Sequence, residues 1–154
     1  MKISIICVGK IKEKYFRDAI AEYEKRLGKY CKLEILEVQD EKTPDNAGAA
    51  LEQQIKEKEA ARILKHVKED AFVYSLEIGG EKPDSVELAK QIDKLAVQGK
   101  SHIQFIIGGS LGLHSSVSSR SDGKISFSDM TFPHQLMRVI LLEQIYRGYR
   151  IIAG

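Results

Sequence analysis

The stretch Ile103–Ser116, IQFIIGGSLGLHSS, is an apolar strand that runs straight into glycines with one serine among them. Gly108, Gly109, Ser110, Leu111 and Gly112 satisfy G-x-S-x-G directly after a strand, the context of a hydrolase nucleophile elbow. Asp122 or Asp129 and then His134 even follow in the chain order of such a triad. A hydrolase of that kind needs its histidine on a loop after a late strand and its acid on another loop. Here Asp129 and His134 are close neighbours in the chain, the histidine stands in the first turn of a helix, and the chain is short for that fold. The pattern is not G-x-G-x-x-G, and no Walker-type phosphate loop is present. Glycines at a strand end also let a flat ligand lie against bare backbone, or make a tight turn of positive φ. Spacing alone does not choose between these uses.

Working outward, strand and helix patterns alternate along the chain. Lys2–Gly9 reads as a buried strand, and Lys14–Gly28 as a helix with Gly28 at its C-terminal cap. Cys31–Val38 alternates apolar and polar residues, which suits a half-buried strand at an edge. Gln39–Gly48 is rich in turn-forming residues, Ala50–Val67 has helical spacing, and Ala71–Ile78 is a strand. Asp84 with Glu87 is a D-x-x-E capping signal for the next helix, which Gly99 ends. His102–Ile107 and Lys124–Asp129 are the last two strands. Five strands alternating with helices predict an α/β fold: one domain spanning residues 1–154, with a mostly parallel sheet flanked by helices. Ligands of such sheets bind beyond the carboxyl ends of the strands, here Leu76–Gly80, Ile107–Gly112 and Phe127–Phe132.

The final segment, Phe132–Ile152, opens with Pro133, favourable in the first turn of a helix. Met137, Ile140 and Leu141 fall on one side of that helix, while Leu136, Val139, Leu142 and Ile145 cover much of the rest. A helix apolar nearly all round is buried all round, yet its own sheet covers one side only. The expectation is a homodimer with this helix in the interface. Glu143 and Arg147, four residues apart, are expected to pair on its surface.

Composition excludes some classes. With 43% apolar and 30% charged residues the chain is neither disordered nor fibrous. The cysteines, Cys7 and Cys31, sit in apolar runs without a second ligand at metal spacing and read as packing thiols, so no metal is expected. His66, His102 and His114 have no partner spacing that suggests a site. No secretory signal and no membrane-spanning run is present, which predicts a cytoplasmic protein. A net charge of +2 barely concentrates a polyanion, so any RNA site is local, with Lys10–Arg17 and Lys25–Lys32 the basic clusters. Solvated helix faces explain the same clusters equally simply.

Phe105–Leu113, FIIGGSLGL, followed by Ser126–Ile151, SFSDMTFPHQLMRVILLEQIYRGYRI, resembles the C-terminal signature of the SPOUT methyltransferases, specifically the family of large-subunit rRNA methyltransferase H. The resemblance runs through Lys2–Leu27, Thr43–Asn46 (TPDN) and Tyr74–Gly80 (YSLEIGG). It implies a SPOUT fold with a C-terminal trefoil knot, an S-adenosyl-L-methionine site in that knot, and a homodimer. Carried over by position, the cofactor contacts are Leu76, Gly108, Phe127, Ser128, Asp129, Met130, Thr131 and Phe132. Leu76, Phe127, Met130 and Phe132 are then apolar walls, and a side chain at Gly108 would occupy ligand space.

The activity implied is methylation at N3 of a pseudouridine, position 1915, in 23S rRNA of the assembled ribosome. That N3 carries a proton with a pKa well above neutrality, which asks for a base or a fixed positive charge. His134 as base and Arg138 as charge stabiliser or RNA contact are the candidates; alternatively His134 is structural and Arg138 pairs with an acid across the dimer. Family members continue past the last helix with a Tyr-His pair and a basic residue, an RNA-proximal tail, where the present chain ends at Gly154. Two other classes are carried forward: a serine hydrolase using Ser110, and a ribosome-binding dimer without catalysis.

Overall fold

The computed structural model describes residues 1–154. Its strands are β1 (Lys2–Val8), β2 (Lys32–Val38), β3 (Phe72–Glu81), β4 (His102–Ile107) and β5 (Gly123–Ile125), all parallel, in the order β2-β1-β4-β3-β5. The helices are α1 (Lys14–Leu27), α2 (Ala49–Leu64), α3 (Ser85–Val97), α4 (Ser115–Arg120) and α5 (His134–Ala153). The α/β parallel sheet expected from the alternating pattern is therefore present, with β2 at an edge.

Side chains of β1 alternate between two apolar layers. Ile3, Ile5 and Cys7 join Phe105 and the inner faces of α1, α3 and α5, while Ile6 and Val8 join Ala60 and Ile63 of α2 and Val117 of α4. Burial on both faces is why β1 and β4 are nearly unbroken apolar runs. Their two buried polar side chains are satisfied: Ser4 meets His102 Nε2 at 2.7 Å, and Gln104 accepts from the Lys68 N–H and donates to the His66 carbonyl. The capping signal before α3 forms, with Asp84 accepting the Glu87 N–H at 2.7 Å.

Several boundaries differ from the expectation. Gly28 caps α1 but in a right-handed conformation (φ −57°), and Pro133 precedes α5 rather than lying within its first turn. The short α4, started by the His114 side chain accepting the Ser116 N–H, was not anticipated, because a serine-rich hexamer has no apolar periodicity. The fifth strand is only Gly123–Ile125, since Ser126 leaves the sheet after donating to Glu81 O at 2.7 Å. Finally, α5 is not buried all round within one chain. Leu141, Leu142, Ile145 and Gly148 pack inward, Leu136, Val139 and Ile140 are half-buried, and Ile151 and Ile152 are exposed. The Glu143–Arg147 pair forms at 2.9 Å.

β3 extends past its expected end because it pairs with β5 twice. Leu76 and Glu81 both face Ile125, and the residues between them, Glu77–Gly80, bulge out of register. The bulge leaves no room at Gly80, where a Cβ would lie 2.7 Å from the Lys124 carbonyl carbon and 2.8 Å from Ile125 backbone. At Gly79 nothing lies within 4 Å. Gly80→Ala is expected to lower unfolding free energy by about 2–3 kcal/mol, an overpacking cost, whereas Gly79→Ala shifts it by less than about 0.5 kcal/mol; urea denaturation of both variants measures the contrast.

Candidate functional site

The carboxyl ends of β3, β4 and β5 open into one cleft. Leu76, Glu77 and Ile78 come from the β3 bulge, Ile107, Gly108, Gly109 and Gly112 from the end of β4 and the turn after it, and Ser126, Phe127, Ser128 and Met130 from the chain after β5. His134 and Met137 of α5 complete the lining. The strand ends singled out in the sequence thus converge. Of the residues carried over as cofactor contacts, Leu76, Gly108, Phe127, Ser128 and Met130 line this cleft. Phe132 instead faces an adjoining hollow with Pro83, Leu88 and Ile140, Asp129 pairs with Lys82 at the surface, and Thr131 is exposed.

The glycine turn is held by its own backbone. Gly112 N–H donates to Gly109 O at 3.1 Å, and Gly112 has φ +84°, a conformation that disfavours any side chain. A Cβ on Gly108 would lie 3.0 Å from the Gly112 carbonyl and from Leu113 Cδ2. A side chain at Gly108 would thus crowd the closed turn as well as the cleft that Gly108 lines. Ser110 is exposed at the turn and makes no side-chain hydrogen bond, while the nearby His114 is engaged with Ser116 at 2.8 Å. No triad assembles, and the hydrolase alternative fails on this geometry.

Opposite the turn, the loop after β5 is fixed locally. Ser126 Oγ donates to Ser128 O, and Met130 N–H donates to Ser128 Oγ, both at 2.9 Å. Apolar walls with backbone amide and carbonyl groups between them suit a flat heteroaromatic ring with polar edges. The cleft carries one carboxylate, Glu77, which the sequence reading had not singled out. Ser75 and Ser118 donate to its two oxygens at 2.6 and 2.7 Å. An acidic residue at the end of an apolar strand, separated from two glycines only by Ile78, was the signal available for it.

His134 reaches the cleft from the start of α5. Its Nδ1 is buried without a partner, and its Cε1 lies 3.7 Å from where a Gly9 Cβ would stand, an ordinary contact distance; what favours glycine at position 9 is its φ of +87°. Burial lowers its pKa, the Arg138 charge lowers it further, and Asp40 opposes both. Arg138, one turn on, is not in the cleft. It is 2% exposed, donates to Glu37 at 2.5 Å and, through Nη2, to Gly9 O at 2.6 Å and Val8 O at 3.3 Å. The two residues expected to serve one site thus diverge, and the acid beside Arg138 belongs to its own chain. Elsewhere, burial pushes the Cys7 thiol up to about 12 and Cys31 to about 11, so both are poor nucleophiles. No group of three or more His, Cys, Asp or Glu is arranged to hold a metal, and no helix is long and apolar enough to cross a membrane.

Comparison with known proteins bears on this cleft. The family model described as "Predicted SPOUT methyltransferase" matches residues 1–154. The ribosomal RNA large subunit methyltransferase H of Bifidobacterium adolescentis is 64% identical over all of this chain and 97% of its own length. Proteins of the same name from Clostridium beijerinckii and Clostridium novyi are each 60% identical over the same shares.

The histidine environment predicts a pH response. Because the folded-state pKa of His134 lies below its unfolded value, the unfolded chain takes up the proton first on acidification. The stability this neutral ring contributes is present above the ordinary value of about 6.5 and is lost as pH falls through the folded pKa. His102 shifts the same way, mainly by burial. In an NMR titration the His134 Cε1 proton is expected to show a midpoint below the ordinary value; a midpoint above it would contradict the buried, neutral ring.

Proposed function

Because the chain belongs to the SPOUT methyltransferases, in the ribosomal RNA large subunit methyltransferase H family, we propose that it methylates large-subunit ribosomal RNA in the cytoplasm. The substrate is N3 of a pseudouridine in 23S rRNA of the assembled ribosome, and the methyl donor is S-adenosyl-L-methionine. The observation that carries this reading is the convergence of three strand ends on one cleft of apolar walls and exposed backbone groups, in a chain that matches the family over its whole length.

The cofactor supplies an activated methyl group on a sulfonium. The chain's own residues would bind and align it: Leu76, Phe127 and Met130 would supply the apolar walls for an adenine, and the backbone of the Gly108–Gly112 turn and of Ser128 would offer it polar groups. Asp129, Thr131 and Phe132 contribute through the loop they share with these residues. His134, kept neutral by burial, accepts the N3 proton as the methyl is transferred. Arg138 acts on the reaction from behind by holding Gly9 beside His134. Transfer is an in-line displacement, so most of the catalysis is alignment.

The same reading includes a second copy of the chain. The incompletely covered apolar surface of α5, with Leu136, Val139 and Ile140 half-buried and Ile151 and Ile152 exposed, supports a homodimer through that helix. Lys10–Arg17 of one protomer then contributes phosphate contacts, and the ribosome is recognised by shape across both subunits. The trefoil knot belongs to the reading as well, on the strength of the family match over residues 1–154.

Two measurements test the reading. With S-adenosyl-L-methionine at about a hundred times its dissociation constant, stabilisation of about 2.7 kcal/mol should raise the melting temperature by roughly 5–10 °C. Ribosomes lacking the modification, incubated with cofactor carrying a labelled methyl group, should then yield N3-methylpseudouridine in large-subunit RNA by mass spectrometry. Cofactor binding and ribosome association without transfer would favour the non-catalytic alternative. Light scattering at micromolar concentration should give a mass twice 17.3 kDa; a monomer would remove the α5 interface.

A further inference from the structure

The β3 bulge brings one carboxylate into a cleft that is otherwise apolar or uncharged. Glu77 follows Leu76 directly, and the bulge between Leu76 and Glu81 turns it out of the strand and into the lining. Among the other lining groups, the glycines, serines and apolar side chains carry no charge, and His134 is held towards its neutral form by burial. The nearest ion pair of the loop, Lys82 with Asp129, is internally neutralised and exposed. The cleft therefore presents a net negative charge, localised on Glu77.

That carboxylate is held in place. Ser75 donates to one oxygen at 2.6 Å and Ser118 of α4 to the other at 2.7 Å, and Ser75 also meets Ser121 at 2.9 Å. Each oxygen accepts one hydroxyl and keeps further lone-pair capacity. No cation of the chain forms an ion pair with it: none of the ion pairs includes Glu77. A fixed carboxylate with no ion-pair partner, lining a cleft, is matched by a cationic ligand.

Resting on the methyl-donor reading above, we propose that Glu77 is a specificity-determining residue that makes the cleft prefer the positively charged methyl donor over its neutral demethylated product. S-adenosyl-L-methionine carries an ammonium, a sulfonium and a carboxylate, for a net charge of +1. When the methyl bond to sulfur breaks, its electron pair remains on sulfur, the nucleophile's pair forms the new bond to carbon, and the N3 proton departs to a base. What is left, S-adenosylhomocysteine, has the same ring and ribose but no net charge. Apolar walls and backbone hydrogen bonds treat the two compounds almost alike, whereas a carboxylate distinguishes them by one unit of charge. Glu77 thus favours loading with fresh donor and weakens the hold on spent cofactor.

Isothermal titration calorimetry with each compound separately, on the wild-type chain, Glu77→Gln and Glu77→Asp, tests this. In Glu77→Gln the ratio of product to donor dissociation constants should fall by roughly tenfold, through weaker binding of the donor, while the product binds nearly as before. Glu77→Asp keeps the charge and should preserve most of the preference. If the carboxylate served only to hold α4 through Ser118, both compounds would weaken together in Glu77→Gln and the ratio would not change, which overturns the proposal. Circular dichroism of the variants reports folding, and if Glu77→Gln does not fold, the donor preference of the wild-type chain should weaken with salt, a salt-independent ratio counting against Glu77. A wild-type chain that binds both compounds equally overturns the role of Glu77 alone. One that binds neither overturns the methyl-donor reading, and this proposal with it.

Discussion

Burying a guanidinium is expensive unless oxygens receive it, and Arg138 is buried with both Nη groups so received and only its Nε without a partner. Glu37 from the end of β2 and the carbonyls of Val8 and Gly9 from the end of β1 receive its Nη groups. Arg138 is buried while Glu37 keeps contact with solvent, so it is loss of Glu37 that leaves an uncompensated buried charge. The contact joins residues more than a hundred positions apart, so the last helix, the first strand and the edge strand hold one another in place. His134 is one turn away on the same helix, and its approach over Gly9 depends on where Arg138 puts that backbone.

The second constraint is the double pairing of β3 with Ile125. It fixes β5 against β3, turns Glu77 and Ile78 towards the cleft and excludes any side chain from Gly80. Together the two contacts explain why residues from four separate stretches meet with little freedom. One positions the floor and the histidine, and the other positions the wall opposite. Alignment of reactants over a rigid lining is what a displacement reaction asks of a protein.

Much of this organisation is legible from residue patterns, and the exceptions have physical reasons. Runs such as Ile3–Val8 and Ile103–Ile107 announce strands buried on both faces, and Asp84 with Glu87 announces the start of α3. The convergence of the strand ends follows from the rule for parallel sheets. By contrast, α4 is formed by capping and by Val117 in the core rather than by periodicity, and the β3 bulge arises from tertiary pairing that no local pattern encodes. Arg138 reads as a surface or substrate-facing charge because arginine is seldom fully buried; its partners lie far away in the chain. Gly108 was legible as a glycine that matters, but the atoms that require it, those of Gly112 and Leu113, are visible only once the turn is closed.

The distance in sequence between Arg138 and Gly9 also orders events in time. Chains emerge from synthesis N-terminus first, so β1 and β2 exist long before the residue that ties them down. The carbonyls of Val8 and Gly9 and the Glu37 carboxylate stay hydrated until the beginning of α5 arrives. Contacts of such long separation slow folding in general. The cleft is consequently among the last features to be completed, and an incompletely synthesised chain has the sheet's central strands without the α5 side of that lining.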